Sequence, residues 1–405
     1  MSLTERFIEY VKINTQSDPY STTVPSTECQ YDLANLLKKQ LDELGLITRL
    51  EKGYVYGHLL SNIDKKVDTI GLIAHMDTAP DFSGLNVNPR VINKWDGKDI
   101  ILNEERTISL EKFPHMKSFV GDDIIVTDGN TLLGADDKAG VTIIMEVIEY
   151  LVNNKDIKHG DIKVCFTPDE EIGKGANCFD IDYFDADYAF TLDGSEANGL
   201  CYETFNAYEV QVAIKGVSIH PGSAKGKLVN AITLANKFDN MLPIFERPEF
   251  TEGFEGFNHL HTINGSAENC TMEYIVRNHN KEIIERQLND FNRIAQHLNE
   301  GLGYNAISVD IKLQYKNMYE LLHDKENILS LAKRAIEKAG LKPEIESARG
   351  GTDGSTLTFM GLPTPNLGTG GTNYHGPYET CSINQMNTMI KIVLNMLEDI
   401  TGEVK

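Results

Sequence analysis

No stretch of this 405-residue sequence approaches the roughly 18 consecutive apolar residues of a membrane span. Its start, MSLTERFIEYVK, has the pattern of an amphipathic helix, not of a basic segment followed by an apolar run and a small-residue cleavage site. No membrane partner is therefore expected. Basic residues are outnumbered, 38 against 60 acidic ones, for a formal net charge of -22, which argues against a nucleic-acid partner because such proteins carry a basic footprint. The six cysteines, at 29, 165, 178, 201, 270 and 381, form no CxxC pair. That spacing gives no support to a cysteine-ligated structural zinc and points to free thiols and a cytoplasmic location. The GxxxxGK[ST] phosphate loop and the HExxH zinc helix are both missing, and so are tandem repeats and a low-complexity linker.

What remains is a folded globular chain, 41% hydrophobic and long enough for two or three domains. ECQYDLANLLKKQLDELG has helical periodicity, with Gly45 at its end. DTIGLIAHMD, DIKVCFTPDEEIG and DADYAFTLDG read as strands with polar tips, and ADDKAGVTIIMEVIEYLV as a turn leading into a long helix. This alternation predicts an α/β domain with a mixed sheet flanked by helices and its ligands gathered at the strand ends. From about 206 the texture changes: NAYEVQVAIKG, NCTMEYIVRNHN and ISVDIKLQYKNM read as strands, and KLVNAITLANKFDNMLP and KEIIERQLNDFNRIAQHL as helices. The expected organisation is a first domain of residues 1–205 and 318–405, interrupted by a smaller α+β domain at 206–317.

Five polar tips share one chemical character: AHMD, GADDKAG, PDEEIG, TLDG and NYHG. Their metal-facing candidates are His75, Asp136, Glu171, Asp193 and His375. Two imidazoles and three carboxylates suit divalent zinc, and a carboxylate with two oxygens can bridge a pair of ions. Each tip has a plainer reading: Asp136 or Asp137 as a helix cap, the glutamates as loop charges, Asp193 and His375 as turn residues. Taken together, the acids would repel one another in a shared cleft without cations, which favours the metal. His75 and Asp77, two apart on a strand, share a face, so Asp77 is expected to orient the imidazole. Glu170, beside Glu171 but pointing elsewhere, is the candidate base for taking a proton from water.

The segments HMDTAP, LLGADDKAG, PDEEIGKGA, TLDG and NYHGPYE resemble the M20 clan of zinc exopeptidases, over a match running from the first helix to the last. The resemblance implies one zinc among His75, Asp136 and Asp193, a second among Asp136, Glu171 and His375, and catalytic roles for Asp77 and Glu170. It implies a smaller lid domain carrying His220 of GVSIHPGS toward the substrate carbonyl. Arg277 or Arg349 is implied as the clamp for a substrate carboxylate, with Arg277 the better candidate. The implied substrate is a short peptide with a free amino terminus, preferably a tripeptide. Alternatives are a dipeptidase, an N-acyl-amino-acid amidohydrolase or, less in keeping with the presence of Glu170, a binding protein without activity. A homodimer is compatible with the sequence, which specifies no interface.

Overall fold

The computed structural model describes residues 1–402. The described residues form two compact units, one of residues 1–202, 320–346 and 352–402 and the other of residues 203–319 and 347–351. The expected lid, 206–317, lies within the second unit, to which the short segment 347–351 of the Gly-rich region also belongs.

The first unit is built on an eight-stranded mixed sheet in the order Ile47–Glu51, Tyr54–Leu59, Ile162–Thr167, Ile70–His75, Tyr188–Gly194, Asn366–Gly368, Gly199–Cys201 and Glu344–Glu346. The strand Ile70–His75 runs parallel to both neighbours, pairing His75 with Thr167 and Ile73 with Thr191. All six of its residues are buried, as expected of a strand covered on both faces. Because the three strands run together, the chain leaves them at one end of the sheet, and the acidic tips follow there.

Helices Leu3–Val11, Gln30–Glu43, Ala135–Asn153, Glu326–Lys338 and Ile383–Thr401 pack their apolar sides into a shared core with this sheet. The first is closed by a capping box, Ser2 with Glu5. The helix Ala135–Asn153 comes close enough to the sheet that a Cβ at Gly140 would lie 2.0 Å from the Leu192 carbonyl oxygen. Only glycine fits there, and the close approach brings the start of this helix toward the tip that carries Asp193.

The second unit has a four-stranded antiparallel sheet in the order Phe257–Gly265, Asn269–Asn278, Asn206–Lys215 and Ile307–Tyr315, with helices Ala231–Asp239 and Lys281–Leu302. Residues of Asn269–Asn278 alternate in burial, and their inward members join the helices in a separate core. The α/β class with a smaller α+β part is as the sequence predicts. The edge strand Phe257–Gly265 was not anticipated.

Candidate metal centre

His75 ends its strand fully enclosed, with 2% of its side chain exposed. Its Nδ1 lies 3.1 Å from the Asp77 backbone carbonyl and 3.4 Å from Asp77 Oδ1. Both partners are acceptors, so Nδ1 carries a proton and Nε2 is the ring atom turned toward the acids, where a cation would take its lone pair. That Nε2 is 2.9 Å from Asp136 Oδ1 and 3.7 Å from Asp193 Oδ1.

The other oxygen of Asp136 faces the second imidazole: Oδ2 is 3.3 Å from His375 Nε2, which is also 2.9 Å from Glu171 Oε2. The two oxygens of one carboxylate thus address two histidines separately. His375 adopts a left-handed backbone, φ 59°, in the loop that presents it, and its Nδ1 is 3.6 Å from Asp81 Oδ2. Among the described residues, ligand atoms close enough to hold an ion occur in two groupings, His75 with Asp136 and Glu171, and His75 with Asp137 and Asp193.

Asp137 is already committed to the backbone. Its Oδ2 accepts the His75 N–H at 3.2 Å and its Oδ1 the Gly140 N–H at 3.0 Å, the latter a helix-capping contact. The two readings of the DD pair therefore divide between neighbours: Asp137 caps, and Asp136 is left facing the imidazoles.

Asp77, fully buried, also accepts the backbone N–H groups of Glu170 at 2.9 Å and Glu171 at 3.2 Å. The turn carrying both glutamates thereby hangs on the loop carrying His75. The Glu170 carboxylate accepts no hydrogen bond from the described residues. Glu171 Oε1 is buried without any partner.

The electrostatics follow from crowding acids in a dry place. Burial, and then repulsion from Asp136, pushes Glu171 up to about 8 and Asp193 up to about 6. Burial also lifts Glu170 and Asp137 well above the usual carboxylate range. His375 rises to about 11 through its hydrogen bonds to Asp136 and Glu171. Burial works against protonation of His75, but Asp193 and the surrounding carboxylates outweigh it and hold the group well above its ordinary value. Burial alone would raise Asp136; the two imidazoles instead keep it well below the carboxylate range. Cations held among these groups would supply the positive charge that the crowded acids call for.

Several supporting residues escaped the sequence reading. Glu379, 1% exposed, accepts the N–H groups of Leu133 at 2.6 Å, Gly134 at 2.8 Å and Asp136 at 3.0 Å, cradling the loop before the long helix. Its position at the end of NYHGPYE was the one available signal. Asp353, in GGTDGS, is buried and accepts the Thr167 hydroxyl at 2.8 Å. Lys138 is buried with its Nζ 2.7 Å from the Ile13 carbonyl, and burial lowers it to about 7.

The three expected substrate residues belong to the second unit. His220 is exposed, and its Nδ1 accepts the Gly222 N–H at 3.2 Å, leaving Nε2–H as a donor. Arg277 donates to the Tyr208 and Val276 carbonyls at 3.1 and 3.0 Å and to Gln314 Oε1 at 2.6 Å. Arg349 is engaged with the Gly253 and Glu255 carbonyls at 2.7 and 2.8 Å and with Thr251 Oγ1 at 3.1 Å, its guanidinium lying 5.3 Å from the Phe205 ring centre. These contacts make Arg349 a brace for the 251–255 loop.

Comparison with known proteins gives this arrangement a family. The profile of peptidase family M20/M25/M40 matches residues 127–399. Peptidase T of Clostridium perfringens is 49% identical over 396 residues, covering 97% of this chain and 98% of that protein. Two solved structures share the fold with a TM-score of 0.79. One is aminopeptidase PepT from Bacillus cereus, 24% identical over 98% of both chains. The other is a tripeptidase from Staphylococcus aureus, 23% identical over 99% of this chain and 98% of that one. Near-half identity to a peptidase T along almost the whole length, together with the profile match, places the chain in peptidase family M20.

Proposed function

We propose that this chain is a metal-dependent aminopeptidase that releases the first residue of short peptides with free amino termini, tripeptides above all. The observation that carries the reading is the bridge geometry of Asp136, one oxygen toward each imidazole, beside a Glu170 whose carboxylate has no hydrogen-bond partner among the described residues. The relatives named peptidase T, aminopeptidase and tripeptidase support the substrate class.

The residues fit two divalent cations. All donors are imidazole nitrogens and carboxylate oxygens, the set zinc takes in hydrolytic sites. The orphaned Glu171 Oε1 and the surplus of buried acids are explained once cations are present. His75, Asp136 and Asp193 would hold one ion, and Asp136, Glu171 and His375 the other. When bound, the pair supplies Lewis acidity toward a carbonyl oxygen and toward water.

The remaining work belongs to the protein. Glu170 takes a proton from the attacking water onto its free carboxylate and returns it to the leaving peptide nitrogen. Asp77 fixes the His75 tautomer and holds the Glu170–Glu171 turn through its two N–H groups. His220, with Nε2–H available, is assigned to the developing oxyanion. Arg277 is assigned to the substrate carboxylate, which would take the place of the Gln314 side chain on its guanidinium. Six free cysteines support a cytoplasmic location.

A matched panel tests this reading: di-, tri- and tetrapeptides with the amino-blocked and carboxyl-amidated tripeptide, assayed on metal-replete and chelated protein. Release of the first residue, highest kcat/KM for the free tripeptide and loss of turnover on chelation are expected. Preference for an N-acylated amino acid, or turnover surviving verified metal removal, overturns it.

A further inference from the structure

The turn that carries the two functional glutamates is held from a second side, and nothing in the reading above uses that hold. Glu170–Ile172 forms a single 3-10 turn bracketed by two left-handed residues, Asp169 at φ 60° and Gly173 at φ 67°. Glycine adopts this backbone at no steric cost, whereas aspartate does so less readily. Aspartate is there with its side chain fully buried and, among the described residues, no cationic side chain paired with it. Its carboxylate is held by three neutral donor groups from the amino-terminal part of the chain, one of them, the Ser26 N–H, shared between its two oxygens. Oδ1 accepts the Ser26 N–H at 3.0 Å, the Ser26 hydroxyl at 2.5 Å and the Gln30 side-chain amide at 2.7 Å, while Oδ2 accepts the Ser26 N–H at 2.8 Å. Ser26 and Gln30 are themselves buried, at 7% and 0% exposure. The Asp169 carbonyl accepts the Lys174 N–H at 2.9 Å and the Glu170 carbonyl the Gly173 N–H at 2.7 Å, which closes the turn on itself.

Burying a carboxylate without a cation is costly, and hydrogen bonds from several donors offset that cost. Here those contacts reach across 139 to 143 positions of sequence, so they fix the turn to a distant segment and add nothing to its local geometry. Asp77 grips the same turn through the Glu170 and Glu171 N–H groups. The backbone beneath Glu170 is clamped on both sides while its carboxylate is left unpaired. A base that must meet a water in one place needs this combination, because misplacement by about 1 Å is worth about a hundredfold in rate.

We propose that Asp169, acting through Ser26 and Gln30, is a positioning residue that sets the place of the general base Glu170. The proposal rests on the aminopeptidase reading for its kinetic consequence but on contacts above for the anchoring itself. Two substitutions separate backbone from anchor: Asp169→Gly accepts the left-handed backbone and removes the carboxylate, and Asp169→Asn tolerates that backbone and keeps one acceptor oxygen. Both are made alone and in a Glu170→Gln background. Steady-state kinetics with a free tripeptide are measured on protein shown by metal analysis to hold two ions, and hydrogen exchange is followed across residues 169–174. For Asp169→Gly, kcat is expected to fall about tenfold or more with KM within about threefold, Asp169→Asn lying between it and the unchanged protein. In the Glu170→Gln background the further loss is expected to shrink below about twofold, since a base that is absent cannot be misplaced. The turn should also lose exchange protection while the central strands keep theirs. Unchanged kcat in two-ion Asp169→Gly, losses that multiply across the pair, or unaltered protection of the turn each overturn the proposal. Absence of tripeptide hydrolysis by the unchanged protein, or full activity of Glu170→Gln, overturns the functional reading instead, and the exchange measurement then decides the anchor by itself.

Discussion

Glu379→Gln is the substitution that most directly tests how the bridging carboxylate is held. The native side chain accepts three backbone N–H groups, Leu133 and Gly134 on Oε2 and Asp136 on Oε1. Burial pushes this carboxyl up to about 7, with the three N–H donors opposing that shift, so near neutrality the charge-assisted share of the contacts is only partly present. Glutamine has nearly the same shape but one oxygen. Keeping that oxygen on the Leu133 and Gly134 pair turns the amide nitrogen against the Asp136 N–H, leaving two buried donors facing each other. An orphaned buried donor costs about 1–3 kcal/mol, so the pair amounts to roughly 2–6 kcal/mol, a large part of the roughly 5–15 kcal/mol that keeps a domain folded.

Part of this strain is relieved if the 133–136 loop moves, and that movement displaces Asp136 from both imidazoles. Glu379→Gln is therefore expected to show lower stability in denaturant and weaker binding of both ions together, measured as the unfolding midpoint and as metal content after dialysis against graded chelator. Stability within about 0.5 kcal/mol of the unchanged protein, the scatter of an ordinary surface substitution, with both ions retained at unaltered affinity, would refute the cradle.

Three further outcomes are expected. Asp136→Ala should abolish binding of both ions, whereas Glu171→Gln should deplete one of them; metal analysis of dialysed protein distinguishes these, and equal loss in the two variants contradicts the bridge. Glu170→Gln should lower kcat by about 10²–10⁴-fold while two ions stay bound, and comparable turnover rejects Glu170 as the base. Asp353 is raised by burial from 3.8 to about 7. In metal-free protein its proton is kept while the unfolded chain ionises, so its stabilising contribution is whole below about pH 4 and lost as pH rises toward 7. Unfolding midpoints across that window should fall less steeply for Asp353→Asn than for the unchanged protein, and parallel slopes exclude the assignment.

The parts legible in the sequence were those whose cause is local. The run IGLIAH announces a strand buried on both faces, and a histidine or acid at such a tip has few structural uses, so the five tips could be read together. The DD pair was legible only as a choice, because a helix cap and a metal-facing acid have the same local pattern; Gly140 N–H on Asp137 resolves it. The strand Phe257–Gly265 was hidden because its apolar residues, Phe257, Leu260 and Ile263, stand three apart, without the two-residue alternation that marks a strand, and its register shifts between Leu260 and Thr262. The carboxylates of Asp169, Asp353 and Glu379 were hidden for a different reason. Each binds donors 139 to 246 positions away, and the donors are mostly backbone N–H groups and neutral side chains, which carry no charge pattern to read. An acid that meets a metal must be matched by other ligands, and those matches recur as motifs along the chain. An acid that holds a loop needs only N–H or hydroxyl groups, which nearly every residue can provide. Sequence therefore exposes the groups that do the chemistry more readily than the groups that place them, and the latter become visible only when the backbone they grip is seen.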